Sequence, residues 1–212
     1  MKRAVVNLGG STASEAALGE WIAALAGSTL PLVIVPGGGR FANEVRDAQK
    51  SMGFSDKAAH AMAILAMDQF GHVILDRDDR LAPARSLQDM ERALRGRKIP
   101  VWLPSSLAIP APDIRASWDM TSDALAAWLA GKLGAHALLL VKQTAAFSSG
   151  DDVASLTARG IVDAGFAAML PAGVDFHLAG PHDATIAGAM LSSGKLPGTL
   201  ISRSVAAVRK TG

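Results

Sequence analysis

Two short glycine-rich turns are the segments of this chain best suited to chemistry. One is Gly9-Gly10-Ser11, after the apolar run Ala4–Leu8, and the other is Gly37-Gly38-Gly39, after the apolar run Leu32–Pro36. Glycine has no Cβ, so backbone N–H groups in such turns can approach a phosphate closely. A single turn would be explained by a tight strand-to-helix connection alone. Two turns at the carboxyl ends of consecutive strands would face each other, which suits a transfer between two bound molecules.

Arg40 follows the second turn directly, and Arg46 lies six residues further on. A guanidinium at Arg40 could clamp a carboxylate or phosphate with two hydrogen bonds. A solvated arginine at a helix start explains the same residue equally well, so the sequence leaves both interpretations open.

The segment Trp118–Asp123 is the densest polar group in the chain. Thr121 or Ser122 can cap the helix predicted to follow, which leaves Asp119 or Asp123 available for function. Asp123 falls in the first turn of that helix, near a strand end, where ligands of open α/β sheets collect. Capping and compensation of the helix dipole explain these residues without a function, and the spacing alone favours that explanation.

Three further residues carry groups that could bind an anion or act in catalysis. His60 lies in an apolar helical stretch, where a hydrogen-bonded core histidine is the more common case. Lys142 ends the apolar run Leu138–Val141, so its side chain points either to solvent or to a phosphate. Lys195 lies in a loop of small residues without the spacing of a P-loop. The five histidines show no metal-ligand spacing, so we expect no metal site built from protein side chains.

The composition excludes several classes of protein. Of 212 residues, 21 are basic and 19 acidic, 5% are aromatic and none is cysteine. No basic run with interleaved aromatics indicates a nucleic-acid partner, although a basic pocket for a small anionic metabolite is compatible with these numbers. Disulfides and thiolate catalysis are excluded. The start lacks a signal-peptide apolar stretch, and no apolar run reaches the roughly 20 residues of a membrane helix, so we expect a cytoplasmic protein with no membrane partner.

Short apolar runs alternate with helical patterns along the chain. Strands are predicted at Ala4–Leu8, Leu32–Pro36, Val73–Leu75, Pro100–Leu103, Ala137–Lys142, Phe176–Ala179 and Thr199–Ser202. Helices are predicted at Glu15–Ala26, Arg40–Met52, Ser55–Phe70, Ser86–Arg95, Ser122–Leu133 and Asp183–Ser193. Strands that are apolar on both faces belong in a parallel sheet covered by helices, which predicts an α/β fold, a three-layer αβα sandwich. No repeat or boundary is visible, so we expect a single domain over residues 1–212.

The predicted helical stretch Ala58–Phe70 is apolar nearly all round. Such a helix is buried by more than one neighbour, and a subunit interface is one way to bury it. We therefore expect a homo-oligomer.

Taken together, these features resemble the amino acid kinase family, which includes acetylglutamate, aspartate, uridylate and isopentenyl phosphate kinases. The resemblance extends from Ala4 to Ser202 and is most specific in Pro36–Ala42, Ser55–Gln69 and Ser117–Asp123. These segments resemble the branch that phosphorylates an aminomethylfuranylmethyl phosphate in the biosynthesis of methanofuran-type one-carbon carriers. The resemblance implies an amino acid kinase-like fold, a small-molecule kinase, ATP with Mg²⁺ and a homo-oligomer.

Roles for individual residues follow from the resemblance. The nucleotide phosphates would be held by Gly9, Gly10 and Ser11, with Lys142 or Lys195 as a nearby cation. The phosphate acceptor would be held by Gly37, Gly38, Gly39, Arg40, His60 and Thr121. Asp123 would organise the positive groups around the transferring phosphoryl group.

Two departures from the family fall on the nucleotide side. Asn7 stands where the family usually has a lysine, so it would act as an uncharged donor while Lys142 or Lys195 supplies the charge. The segment Gln143–Phe147 stands where the branch usually has an Asp-x-Asp-Gly-like loop. The alternative is a catalytically impaired member that binds the metabolite or serves as a regulatory or structural subunit beside a related kinase. A different reaction on the same scaffold is a weaker third hypothesis.

Overall fold

The computed structural model describes residues 2–10 and 15–203, so Ser11 lies outside the described residues. Within them, the centre is a seven-stranded sheet with the order β3-β4-β2-β1-β5-β6-β7. The strands are β1 (Ala4–Leu8), β2 (Leu32–Pro36), β3 (Leu81–Ala84), β4 (Ile99–Trp102), β5 (Ala137–Val141), β6 (Asp175–Ala179) and β7 (Thr199–Ile201). Neighbouring strands are parallel except for β7, which pairs antiparallel with β6.

Helices alternate with the strands and flank the sheet. They are α1 (Glu15–Ala26), α2 (Gly39–Met52), α3 (Asp56–Leu75), α4 (Leu87–Arg95), α5 (Ser105–Ala108), α6 (Ser122–Leu133), α7 (Val153–Ala158), α8 (Phe166–Met169) and α9 (Ala184–Ser192). The predicted α/β sandwich with a mainly parallel sheet is therefore confirmed.

The core lies on both faces of the sheet. Alternate strand residues point to opposite faces, so Val5 and Leu138 pack on one side with the buried face of α6. Val6 and Leu139 pack on the other side with α1, whose Trp21 is fully buried. All five residues of β1 are buried, as expected for the central strand of a sheet that is covered on both faces.

The central position of β1 brings the functional segments to one edge of the sheet. Leu8 pairs with Pro36 of β2 on one side and with Val141 of β5 on the other. Each of these residues ends its strand, so both glycine turns and Lys142 emerge side by side at the carboxyl edge. Ligands of open α/β sheets bind at this edge.

One predicted strand is wrong, because Val73–Leu75 forms the last turn of α3. Three apolar residues in a row are ambiguous in sequence, but here Ile74 is buried by the packing of the helix, whose end is closed by the Asp76 N–H group. The edge strand β3 was missed. It contains Pro83, and proline is tolerated at a sheet edge although it cannot donate a hydrogen bond. The short helices α5, α7 and α8 were missed as well.

Helix α3 is long and apolar enough, by length and composition, to cross a membrane, with a mean hydropathy of 1.3 in its most apolar window. The apolar runs in the sequence predict no such segment. Half of that window is buried inside the protein. The helix also carries Asp68, whose carboxylate accepts hydrogen bonds from the backbone and hydroxyl of Ser105. These are the properties of a core helix, which passes the same test of length and composition.

Candidate active site

The two glycine turns lie against each other. A Cβ atom at Gly10 would overlap the backbone of Gly39, and one at Gly37 would overlap the backbone of Gly10. At Gly38 an added Cβ would collide with the side chain of Ala42. Gly10 and Gly37 are therefore required first of all for a backbone-to-backbone contact between the turns.

Two amides of these turns continue the sheet beyond the strands. The Gly9 N–H donates to the Val141 carbonyl at 3.3 Å, and the Gly37 N–H donates to the Leu8 carbonyl at 2.8 Å. These bonds tie both turns to β1 and β5. An anion held by the turns would therefore accept hydrogen bonds from the amides that come later in each turn.

Helix α2 begins at the second turn. Gly38 occupies its N-cap position, and no side chain caps the helix. The first amides of an α-helix have no partner within the helix and carry the positive end of its dipole, so this start is suited to an anion.

A cavity of about 260 Å³ opens beside this helix start. Its walls come from both glycine turns, α2, α3, α6 and the segment before α6. They consist of Gly10, Gly38, Gly39, Ala42, Asn43, Arg46, His60, Ala63, Ile64, Met67, Trp118, Met120, Thr121, Ser122 and Leu125. The mixture of apolar walls with a few polar groups is typical of a small-metabolite site.

The cation in this cavity is Arg46 rather than Arg40. Both arginines are exposed, but only Arg46 lines the cavity. The guanidinium carbon of Arg46 lies 4.2 Å from the ring centre of Trp118, and the Trp118 indole N–H donates to the Gln49 side chain at 2.7 Å. None of the ion pairs among the described residues includes Arg46, so its charge is available to a ligand.

His60 lines the cavity and is 8% exposed. Its Nδ1 lies 3.2 Å from the Ser117 carbonyl oxygen, and its Nε2 is buried without a partner among the described residues. Burial lowers the pKa of His60 below its usual value, and the hydrogen bond with Ser117 acts in the opposite direction. The interpretation of His60 as a hydrogen-bonded core residue therefore describes only one of its two nitrogens.

Lys142, directly after β5, and Asp123, in the first turn of α6, form an ion pair. The Lys142 Nζ lies 2.5 Å from Asp123 Oδ2, and the side chains are 18% and 2% exposed. The second oxygen, Asp123 Oδ1, is buried with no hydrogen-bond partner in the described part of the chain. The pair thus holds a partly accessible ammonium group, and Asp123 keeps one buried acceptor oxygen that is not used by the described residues.

Asp163 is a residue of this site that the sequence analysis missed. Its carboxylate accepts hydrogen bonds from the Thr121 N–H at 3.0 Å, the Thr121 hydroxyl at 2.7 Å and the Ala124 N–H at 3.2 Å. Its own N–H donates to Asp123 Oδ2 at 3.3 Å. Thr121, one of the two residues predicted to cap α6, occupies the N-cap position, but its side chain makes no cap hydrogen bond and the capping carboxylate comes from Asp163.

The surroundings of Asp163 disfavour its charged form. Burial, and then the negative charge of Asp123, raise the pKa of Asp163 to about 6. No local pattern could have shown this, because Asp163 lies 42 residues from Thr121 in the chain.

Asn7 is fully buried in β1, and the geometry gives it a structural role. Its side-chain amide donates to the carbonyl oxygens of Ser122, at 3.2 Å, and of Val35, at 3.4 Å. Both N–H groups are then used by the protein, so Asn7 has no donor left for a phosphate. The expectation that Asn7 acts as an uncharged catalytic donor finds no support in this arrangement.

Lys142 also lines an open groove, which shares no wall residue with the cavity, together with Gln143, Thr144, Ala146, Arg159, Gly160 and Ile161. Lys195 is not part of the cavity or of this groove. It is exposed and follows Gly194, which lies beside Thr29 in the connection that leads into the amino end of β2. Of the two lysines considered in the sequence analysis, the structure brings only Lys142 to Asp123 among the described residues.

Comparison with known proteins identifies relatives of two kinds. Over 102 residues the chain is 36% identical to a (5-(aminomethyl)furan-3-yl)methyl phosphate kinase from Methanocaldococcus jannaschii. That match covers 48% of this chain and 46% of the relative, so it spans about half the length of each protein.

Solved structures agree over nearly the whole chain. Uridylate kinase from Archaeoglobus fulgidus matches with a TM-score of 0.68 at 17% identity, covering 95% of this chain and 100% of that one. UMP kinase from Ureaplasma parvum matches with a TM-score of 0.68 at 12% identity, covering 95% and 96%. UMP kinase from Bacillus anthracis matches with a TM-score of 0.64 at 14% identity, covering 96% of each chain. At these identities the likeness shows the fold.

The family itself is shown by the sequence match. Residues 2–159, which include both glycine turns, the cavity walls and the Lys142–Asp123 pair, match the amino acid kinase family. Because this match covers more than half of the chain, and the fold of the solved relatives agrees with it, the protein belongs to the amino acid kinase family.

Proposed function

We propose that this protein is an ATP-dependent kinase that transfers a phosphoryl group to a small anionic metabolite. The observation that carries the proposal is the Lys142–Asp123 pair, in which Lys142 lines the open groove and Asp123 follows Ser122, a residue of the cavity wall. Phosphoryl transfer requires positioning and neutralisation of charge rather than covalent chemistry by the protein. Lys142 supplies the charge that Asn7 cannot supply, and Asp123 fixes its position.

The cavity is the proposed site of the phosphate acceptor. It places the uncapped start of α2 and the cation of Arg46 around an apolar space of metabolite size. The relative from M. jannaschii is a kinase for an aminomethylfuranylmethyl phosphate, so we propose an acceptor of this kind, in methanofuran-type cofactor biosynthesis. An acceptor phosphate oxygen would attack the γ-phosphorus of ATP as the bond to the β,γ-bridging oxygen breaks, giving a diphosphate and ADP.

The nucleotide is proposed to bind at the first glycine turn and along the groove beside Lys142. Asp123 Oδ1, a buried acceptor oxygen without a partner among the described residues, would be satisfied by a positive group that arrives with the nucleotide. Residues 2–10 and 15–203 contain no group of three or more histidine or carboxylate side chains that could hold a metal on their own. Mg²⁺ bound with ATP would neutralise phosphate charge, while Lys142 positions that charge.

A catalytically impaired metabolite-binding or regulatory subunit is the alternative. The specific observation in its favour is Asn7, whose amide is used entirely within the protein. The kinase family and the kinase relative give stronger support to phosphoryl transfer.

We further propose that the chain assembles with copies of itself through α3. One face of this helix lines the cavity, while Met62 and Leu65, three residues apart on another face, are 40% and 46% exposed. Large apolar side chains on one exposed helix face are typical of a protein interface.

The experiment that tests the function is calorimetric titration of Mg-ATP into the wild type, beside an assay of phosphoryl transfer to aminomethylfuranylmethyl phosphate. Micromolar binding of ATP and formation of a diphosphate, both lost in Asp123→Ala, would support the kinase. An Asn7→Lys variant is the informative comparison. If ATP binds only to that variant, the nucleotide site has decayed and the subunit alternative replaces the kinase.

A further inference from the structure

The unused nitrogen of His60 has a defined chemical character. Its Nδ1 faces the Ser117 carbonyl oxygen at 3.2 Å, and a carbonyl oxygen can only accept a hydrogen bond. The hydrogen must therefore be on Nδ1. In the neutral ring, Nε2 then carries a lone pair and is a hydrogen-bond acceptor.

The neutral form of the ring is the one that this location favours. His60 is more than nine-tenths buried, and the ion pairs among the described residues do not include it. Burial disfavours the charged imidazolium, as the direction of its pKa shift indicates.

An acceptor without a partner is costly inside a protein unless a ligand satisfies it. His60 lines the same cavity as Arg46, so the cavity offers a cation for an anion and, separately, a lone pair for a donor. The walls of the same cavity also include apolar side chains, among them Ile64 and Met67. A ligand that matches all three features carries an anionic group, an apolar body and an N–H or O–H group.

We propose that His60 is a specificity-determining residue whose Nε2 accepts a hydrogen bond from an amine or hydroxyl group of the phosphate acceptor. The cavity then discriminates against acceptors of the same size that carry an anionic group but no such donor. This inference rests on the proposed function, because it assigns the cavity to the acceptor. His60 takes no part in moving the phosphoryl group.

The test compares two acceptors in calorimetric titrations without ATP. One is aminomethylfuranylmethyl phosphate, and the other is its isostere with an ethyl group in place of the aminomethyl group. The wild type is expected to bind the amine roughly 10- to 100-fold more tightly, the range for a buried acceptor left unpaired. This preference should disappear in His60→Leu. Part of it should return in His60→Gln, because glutamine keeps an acceptor. It should be unchanged in His72→Leu, which alters an exposed histidine of the same helix.

A second measurement does not depend on the ligand. The ¹⁵N chemical shifts of the His60 imidazole, assigned by comparison with His60→Gln, should show a protonated Nδ1 and an unprotonated Nε2 at neutral pH. Equal affinity for the two compounds, failure of the wild type to bind either, or a proton on Nε2 would each overturn the inference.

Failure of this inference can be distinguished from failure of the proposed function. If the enzyme transfers phosphoryl groups equally well to both compounds, the kinase stands and the role of His60 is refuted. If the amine is preferred through His60 but ATP is never consumed, the role of His60 stands and the kinase is refuted.

Discussion

The ammonium group of Lys142 lies 2.5 Å from a carboxylate oxygen of Asp123, and so joins the end of β5 to the first turn of α6. Asp123 is almost fully buried, whereas Lys142 remains partly exposed. A lysine held in this way keeps its charge in one place and can still face a ligand on its open side.

Replacing Lys142 by methionine should reduce phosphoryl transfer by at least about 10²-fold, the scale for loss of one preorganised stabilising group. It should also lower thermal stability, because Asp123 is left buried without its partner. Lys142→Arg keeps a cation and should retain the fold and part of the activity. Lys50→Met removes an exposed lysine paired with Asp47 and should leave the rate unchanged. A rate for Lys142→Met within a few-fold of wild type would contradict the assigned role.

Arg46→Met should raise KM for the anionic acceptor by roughly 10- to 100-fold with a smaller effect on kcat, because charged hydrogen bonds contribute about 1.5–3 kcal/mol. Its matched control is Arg40→Met, since Arg40 is exposed and outside the cavity. Steady-state kinetics with both variants checks the prediction. A larger increase in KM for Arg40→Met than for Arg46→Met would instead support Arg40 as the arginine that binds the acceptor.

Gly10→Ala should destabilise the protein strongly, because the added methyl group has no space against the backbone of Gly39. Gly19→Ala is the control. An added Cβ at Gly19, inside α1, meets nothing within 4 Å, so alanine there should stabilise the helix by roughly 0.5–1 kcal/mol. Urea unfolding should show a lower free energy of unfolding than the wild type for Gly10→Ala and a higher one for Gly19→Ala. Equal free energies for the two variants would mean that the turns are not packed as described.

Asp163→Asn should change how stability depends on pH. The folded pKa of Asp163 is raised to about 6 from 3.8, so the folded state binds more protons than the unfolded state between these values. Asp163 therefore makes stability fall as pH rises through this window. The free energy of unfolding of the wild type, relative to that of Asp163→Asn, should therefore decrease as the pH is raised from about 4 to above 6.

The control for this prediction is Asp113→Asn. Hydrogen bonds from Trp128 and then Lys132 hold the pKa of Asp113 below its usual value, so this carboxylate stays charged throughout the same window. Urea unfolding at pH 4.5 and pH 7 measures both variants. If the wild type and Asp163→Asn differ by the same free energy of unfolding at both pH values, the raised pKa of Asp163 is refuted.

Replacing Met62 and Leu65 by glutamate should dissociate the proposed oligomer, because charges would then lie in an apolar interface. Ile186→Glu, at an exposed isoleucine of α9, is the matched control and should leave the assembly intact. Sedimentation of the three proteins measures the result. A monomeric wild type would rule out self-association.

The fold was largely predictable because its signals are local. The apolar runs Ala4–Leu8 and Leu32–Pro36 and the helix Ser122–Leu133 have the bounds predicted from periodicity. Val73–Leu75 was misassigned because an apolar triplet does not distinguish the end of a buried helix from a strand.

The site was predictable only in part. The importance of Arg46 could have been found, since Gly39, Ala42, Asn43 and Arg46 follow the three- and four-residue spacing of one helix face and all line the cavity. The role of Asp163 could not, because it depends on folding that brings distant segments together. Whether the N–H groups of Asn7 are free is likewise decided by carbonyl groups of β2 and α6.

The contact between Gly10 and Gly39 has a consequence for how such a scaffold can change over evolution. In the proposed kinase, the contact between the two backbone turns sets the distance between ATP and the phosphate acceptor. This distance is fixed once the chain has folded. No protein side chain therefore has to lose conformational freedom to bring the two reactants together. The residues proposed to choose the acceptor, Arg46 and His60, lie further along α2 and in α3 and do not take part in this contact. Substitutions in these parts of the helices can then change the substrate preference while the geometry of the reaction stays the same.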